Sequence, residues 1–395
     1  MLSQIRRIYH RYRAAFFALR RAKLVWRRPT RSKVLIYDRG FDTDILFEYI
    51  EQSKSSTLCI RGEEFNVPVL LLSAFSMERY INIFINLVKP DFVVTFLDNS
   101  EYFYRLKNKH TDITFIFLQN GLRTKFNDIF ETLDTSKHNY KVDYMLTFNH
   151  DIGNEYCKFI QGKAIPVGSV RNNLLSSKQS QDLDQGVLYV SAFKPYADKA
   201  SEHWATIKGK SIQWKVVFEA EKLLVEYLSR YCADNNKKLT ILARNKKEVS
   251  LEYDFYQLAV CKGCKWIFVP NSGKAFSYNV ISNAKFIAGV DSTLLFESFG
   301  IGKRVAFFTC RGETIGADIG QFGWPFKFED HGPFWSNQLN KYELYRVMDY
   351  IISVGDVEWE EVHRKYSPHI MNYDPGNKKL ISLFRDLKIP IRANV

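Results

Sequence analysis

No apolar run in this 395-residue chain approaches the roughly 18 residues that a membrane-spanning helix needs. The start stays basic for too long to read as a secretory signal, so none is expected. Cysteine is sparse: six residues lie scattered along the chain, which excludes a disulfide scaffold and predicts free thiols in a reducing cytoplasm. The single close pair, Cys261-Lys-Gly-Cys264, has no second pair and no neighbouring histidine, so it assembles no local four-ligand zinc site. An Asp-x-Asp metal motif in a suitable loop is also missing, because Asp42-Thr43-Asp44 opens a helical stretch and reads as capping. No metal and no cofactor are expected. Internal repeats and low-complexity tracts are lacking too.

Acidic residues are absent from residues 1–33, which hold eleven Lys and Arg. Of the net charge of +13, the rest of the chain therefore carries only two. A basic appendage on a nearly neutral body excludes a nucleic-acid enzyme, whose positive surface belongs on its folded domains. Leu2, Ile5, Ile8, Tyr9, Tyr12, Phe16 and Leu19 recur at helical spacing, and Arg6, Arg7, Arg13, Arg20 and Arg21 fall largely elsewhere on the wheel. The pattern predicts an amphipathic helix to about Trp26, stopped by Pro29, and residues 1–32 are assigned to an anionic membrane surface.

Beyond the leader, short apolar runs alternate with helical stretches. Residues 33–40, 56–62, 91–99, 113–121 and 143–151 each run apolar and end in polar residues or glycine. The polar segment 171–186 interrupts them, and the alternation resumes at 186–195, 238–245, 265–270, 284–291 and 304–312, with helices near 214–234 and 335–354. Continuous runs of this kind predict parallel strands covered on both faces. The fold class is α/β: two doubly wound Rossmann-like domains facing a cleft, at 33–172 and 186–395, joined by a linker at 173–185. Ligands of such sheets bind at the carboxyl ends of the strands, so the residues ending each run carry the candidate chemistry.

"AGVDSTLLFESFGIGKRVAFF" (288–308) reads as strand, Asp291-Ser292-Thr293 turn, short helix and strand. The turn is either a helix cap or a phosphate site made of free N–H groups, hydroxyls and the helix dipole. Glu297, one turn deeper on the face of Thr293, suits ribose hydroxyls. Arg244 and Asn245, ending the neighbouring run, supply a cation to that phosphate or a surface ion pair. Lys194 and Arg311, followed by Glu313 and Thr314, complete the donor side. On the acceptor side stand Asp38, Asn99, Gln119, Asn120 and Arg123, with Asp98 or His150 as the base for the acceptor proton.

"DSTLLFESFGIGKRVAFF", "FGWP" (322–325), "GPFW" (332–335) and "YDPGN" (373–377) resemble a bacterial family of surface-carbohydrate biosynthesis transferases. "FLDNSEYFY" (96–104), "FLQNGLR" (117–123) and "VGSVRNN" (167–173) extend the likeness over nearly all of the body. The resemblance implies a GT-B-like fold and a role in capsule, O-antigen or related glycan assembly. The expected activity is metal-independent transfer from a nucleotide-sugar donor, such as a CMP-linked acidic sugar, to a glycan or lipid-linked glycan acceptor. It would take place at the cytoplasmic face of the inner membrane, where the basic leader holds the protein peripherally. The alternatives are a teichoic-acid-type polyol-phosphate transferase and a non-catalytic scaffold of a glycan assembly complex.

Overall fold

Strands form where the sequence runs apolar over four or five residues, and helices where it turns amphipathic. The computed structural model describes residues 22–40, 43–125, 128–175, 184–194, 203–207, 209–247, 249–309, 311 and 321–393. The expected amphipathic helix lies outside them up to residue 21. From there the chain departs from expectation. Lys23–Val25 is a strand, β1, and it pairs in parallel with Glu64–Asn66, β4.

Among the described residues, two main sheets carry the fold, beside the β1–β4 pair and a separate antiparallel ribbon of β10 (His203–Ile207) and β11 (Lys210–Gln213). The first comprises β2 (Val34–Tyr37), β3 (Ser55–Leu58), β5 (Phe92–Thr95), β6 (Thr114–Leu118), β7 (Tyr140–Thr147) and β8 (Ile160–Pro166). They are ordered β3-β2-β5-β6-β7-β8, all parallel. The second contains β9 (Asp184–Val190), β12 (Leu239–Leu242), β13 (Trp266–Val269), β14 (Ala284–Gly289), β15 (Arg304–Phe308), β16 (His331–Gly332) and β17 (Trp335–Ser336). Its order is β13-β12-β9-β14-β15-β17-β16, parallel apart from the β16–β17 pair. Every residue of β2, β12 and β15 is buried, as expected of strands covered on both faces.

Two sequence expectations shift here. Residues 335–336 form β17 at the side of β15, and the helix expected to start there runs from Lys341 to Ser353. Strand β9 opens at Asp184, inside the segment expected to be linker.

One face of the first sheet packs against the chain's own end. Leu380, Phe384 and Ile389 join Val34, Ile36, Val94, Ile116 and Leu118 in a single buried cluster. The last helix, Lys378–Asp386, thus belongs spatially to the first sheet. Gly168 lies at this return crossing: its φ is +78°, and a Cβ there would lie 2.2 Å from the Asn372 carbonyl oxygen. Gly168→Ala combines a left-handed backbone with a clash against main chain. It should lower stability by about 2–3 kcal/mol, read as a shifted midpoint in urea denaturation.

The order of the second sheet fixes where a ligand can enter. Strand order reverses between β9 and β14, the neighbours from which the chain winds in opposite directions. At such a switch point the loops leaving the strands part and open a crevice at their carboxyl ends. Lys194 follows β9 there and Asp291-Ser292-Thr293 follows β14.

Candidate functional site

A cavity of about 590 Å³ opens at that switch point, roofed by the first sheet's β6 loop. It gathers most of the residues singled out at strand ends: Gln119, Asn120, Arg123, Lys194, Arg244, Asp291, Ser292, Thr293, Glu297 and Arg311 all line it. Lys125, Arg171 and Lys246 line it as well. Seven cations therefore face two carboxylates among the described lining residues, a balance suited to a polyanion.

The turn after β14 is built for an acceptor-rich ligand. Ser292 occupies the N-cap position of the helix Thr293–Gly300, with extended φ and ψ, but its hydroxyl makes no capping bond. The first-turn N–H groups thus keep the positive end of the helix dipole directed at the cavity. The Thr293 hydroxyl accepts from the Leu122 N–H of the facing loop at 3.3 Å. This contact ties the two halves together beside the site.

Buried carboxylates hold the donor-side cations. Glu252 accepts from Ser191 Oγ (2.5 Å) and the Arg244 N–H (2.8 Å) on one oxygen, and from the Asn245 N–H and Nδ2 on the other. Asn245 is consumed in this clamp and the Phe193 carbonyl and does not line the cavity, contrary to its expected donor contact. Glu221 accepts from Tyr189, Tyr256 and the Ala192 N–H, and its second oxygen pairs with Arg311 at 3.3 Å. Arg311 also meets Asp291 at 2.5 Å. Glu313 and Thr314 lie outside the described residues. Lys194 sits 5.4 Å from the Trp214 ring centroid. Burial, then the charge of Arg244, holds its pKa below the ordinary 10.5; Asp291 works the other way and Arg311 adds to the lowering.

Glu297 is 5% exposed and lies at the floor of the cavity. It accepts from Ser169 Oγ (2.5 Å) and Tyr278 OH (2.8 Å), and its carbonyl accepts from Asn172 Nδ2. Ser169 and Asn172 come from the segment after the first sheet, so Glu297 is a strut between the two halves. A ribose hydroxyl at Glu297 would share its two carboxylate oxygens with Ser169 and Tyr278.

The first sheet places its expected residues differently. Asp98 is fully buried and bound bidentately by Arg123 (2.8 and 2.9 Å), with Tyr156 OH on Oδ2 at 2.9 Å. Held this way it stands outside the cavity lining, away from the place the base role expected of it requires. Burial alone would weaken the Arg123 charge, but Asp98, followed by Tyr156 and Asp128, overrides it and raises its pKa. Asp38, at φ +70°, pairs with Arg61 at 2.7 Å; burial raises its pKa while Arg61 opposes this. His150 is exposed at the start of the helix His150–Cys157 and contacts Asn154 at 3.0 Å. Asn99 is exposed. None of Asp38, Asp98, Asn99 and His150 lines the cavity. Gln119 does, but its amide shapes the loop: Oε1 accepts from the Phe148 N–H and Nε2 donates to the Gly121 carbonyl.

Sequence reasoning missed Glu221, Glu252 and Arg171. For the first the signal was available: Glu221 falls among Val217, Ala220, Leu224, Val225 and Leu228 on the buried face of its helix, and a lone carboxylate on an apolar face needs a partner.

Residues 116–388 match the model of a family described as "putative O-antigen biosynthesis protein". That span is more than two thirds of the chain. The chain belongs to this family. No curated protein sequence matches it. Among solved structures, it is similar to a "putative UDP-N-acetylglucosamine 2-epimerase from Listeria monocytogenes", with 12% identity, 91% of this chain and 97% of the other covered, and a TM-score of 0.53. The wall teichoic acid polymerase TagF gives 10% identity over 90% and 89% of the chains, with a TM-score of 0.49. A UDP-GlcNAc 2-epimerase from Neisseria meningitidis bound to UDP-GlcNAc gives 11% over 90% and 99%, with a TM-score of 0.48. The family member thus has a GT-B-like α/β fold. Among the described residues no helix is long and apolar enough to cross a membrane.

Proposed function

We propose that the protein is a glycosyltransferase that moves a sugar from a nucleotide-activated donor to a surface glycan under assembly. The observation carrying this reading is the switch-point cavity, where the uncapped turn at Ser292 faces Lys194, Arg244 and Arg311. Family membership supplies the glycan pathway, and the geometry supports the donor. The donor phosphate lies against the first turn of the helix Thr293–Gly300, in the span of the three cations. As the glycosidic carbon separates from the phosphate oxygen, negative charge grows on that oxygen. Fixed N–H groups and guanidinium groups meet it without reorganising, which lowers the barrier. Catalysis on this reading needs no metal, since helix dipole and basic residues neutralise the leaving group.

The acceptor enters from the side of Asn120 and Arg171. With Asp98 locked under Arg123 and His150 away from the cavity, the acceptor hydroxyl bonds to the glycosidic carbon and its proton passes to the departing phosphate oxygen, while charge stabilisation of that leaving group carries the rate. The abundance of cations suits an acidic donor sugar, of which a CMP-linked one is the example. The protein works peripherally at the inner face of the cytoplasmic membrane, held there by its basic leader.

Incubating the protein with nucleotide sugars and a lipid-linked acceptor tests the reaction class. Release of a free nucleotide with sugar alone transferred is expected. Transfer of phosphate together with a polyol would replace this reading with a polyol-phosphate transferase.

Lys194 adds a pH signature. A bound phosphate favours its protonated form, whereas the empty site disfavours it. Affinity should therefore be full below the lowered pKa of the free protein and decline as pH rises through it, earlier than an ordinary lysine allows. Lys194→Gln should flatten that alkaline limb in calorimetric titrations of nucleotide; a limb identical to that of the parent assigns it to another group.

A further inference from the structure

Large apolar side chains are exposed on two adjoining segments of the first half of the molecule. Leu71 is 63% and Leu72 57% exposed at the end of the helix Val67–Leu72, with Phe75 and Met77 also exposed just beyond it. Trp26 is 72% exposed and Leu24 also exposed on the strap formed by β1. That strap lies against the start of the same helix: β1 pairs with β4, and Asn66, which caps the helix, donates to the Arg27 carbonyl at 2.7 Å. A soluble monomer rarely gathers exposed apolar groups in this way without a partner for them.

The backbone adds an independent sign. Ala74 and Phe75 are consecutive non-glycine residues at φ +49° and +61°, a left-handed conformation that L-residues pay for and that persists where the surroundings impose it. Here the turn is held from beneath. Both the Phe75 N–H and the Ser73 hydroxyl donate to the Leu70 carbonyl, and the Ser76 N–H donates to the Ser73 carbonyl. The strained turn leaves Phe75 exposed.

Charge beside the patch selects its partner. Arg27, Arg28 and Arg31 are exposed on the strap next to it. Of the nearby carboxylates, Glu64 is paired with Lys23 and Glu78 with Lys109, which leaves Glu63 exposed between them. We infer that the turn 71–77, together with Trp26 and its flanking arginines, is a membrane-docking surface for an anionic bilayer. The apolar side chains enter the head-group boundary while the arginines meet lipid phosphates. This contact joins the described end of the basic leader, from Trp26 to Arg31, to the turn 71–77 of the folded body. It would fix the orientation of the cleft over the membrane. The inference is independent of the donor reading, because it makes no use of the cavity.

The test uses the full chain carrying Leu71→Ser, Leu72→Ser and Phe75→Ser. Its partition onto phosphatidylcholine vesicles containing phosphatidylglycerol should fall at least ~10-fold in sedimentation assays, with nucleotide affinity unchanged. The parent should bind pure phosphatidylcholine far more weakly. As a second arm on nearly unaltered protein, brominated lipid should quench the tryptophan emission of the parent more than that of Trp26→Phe. Equal partition of parent and triple variant, or equal quenching in the second arm, overturns the proposal. It is likewise overturned if light scattering shows a dimer that the three substitutions dissociate, since the patch would then be covered by a second copy.

Discussion

Asp98→Ala should lower the free energy of unfolding by about 3–5 kcal/mol, the cost of leaving a buried charge without its partner. The carboxylate follows β5, is fully buried, and receives both Arg123 Nε and Nη2 as well as Tyr156 OH. Removing it strands the Arg123 guanidinium, whose remaining carboxylate partner is Asp128 at 3.2 Å, and unties the loop 119–123 that roofs the cavity. Equilibrium urea denaturation followed by circular dichroism reads the loss directly. Because Asp98 acts through Arg123, any loss of turnover should leave the pH profile of the remaining activity in place. A variant of parental stability whose activity is abolished would restore Asp98 to acid–base work.

Glu252→Ala is the second large effect. The side chain is fully buried and accepts four hydrogen bonds, two of them from the main-chain N–H groups of Arg244 and Asn245. Truncation leaves those part-buried donors without their acceptor, at about 1–3 kcal/mol in stability. It also frees the strand end that aims Arg244 at the cavity, so nucleotide affinity should fall about tenfold or more, even though Glu252 itself touches no ligand. Glu252→Gln, which keeps acceptor capacity on one oxygen only, should lie between the two. A Glu252→Ala protein that is destabilised but binds nucleotide normally would show that Arg244 is not held for the ligand.

These two residues mark what was legible in the sequence and what was not. The apolar runs ending at Tyr37, Thr95, Leu118, Leu242 and Phe308 are local signals: each strand needs a buried stretch and a polar exit, and both are written in consecutive residues. The Ser292 turn was readable for the same reason, since strand, hydroxyls and helix follow one another along the chain. Roles that depend on a distant partner were not. Asp98 resembles a cleft residue because it ends a strand, and nothing nearby announces that Arg123, 25 positions later, will cover it. Arg171 reaches the cavity only because the chain crosses between sheets there. Residues 335–336 joined a sheet instead of a helix because β15 offered them an unpaired edge, a choice made by tertiary contact over local pattern. The stretch 23–25 likewise became a strand once β4 lay beside it.

The central claim is that the cavity between β9 and β14 binds the phosphate of a nucleotide. Titration calorimetry of the full protein with CMP, CDP, UDP and GDP measures it most directly, repeated on the variant carrying Ser292→Ala and Thr293→Ala. The account predicts saturable binding of at least one of these nucleotides, weakened about tenfold or more in the variant by loss of two hydroxyl contacts of about 1 kcal/mol each, with the melting temperature of the variant close to that of the parent. Absence of binding by all four nucleotides, or an affinity that the double substitution leaves unchanged, would contradict it.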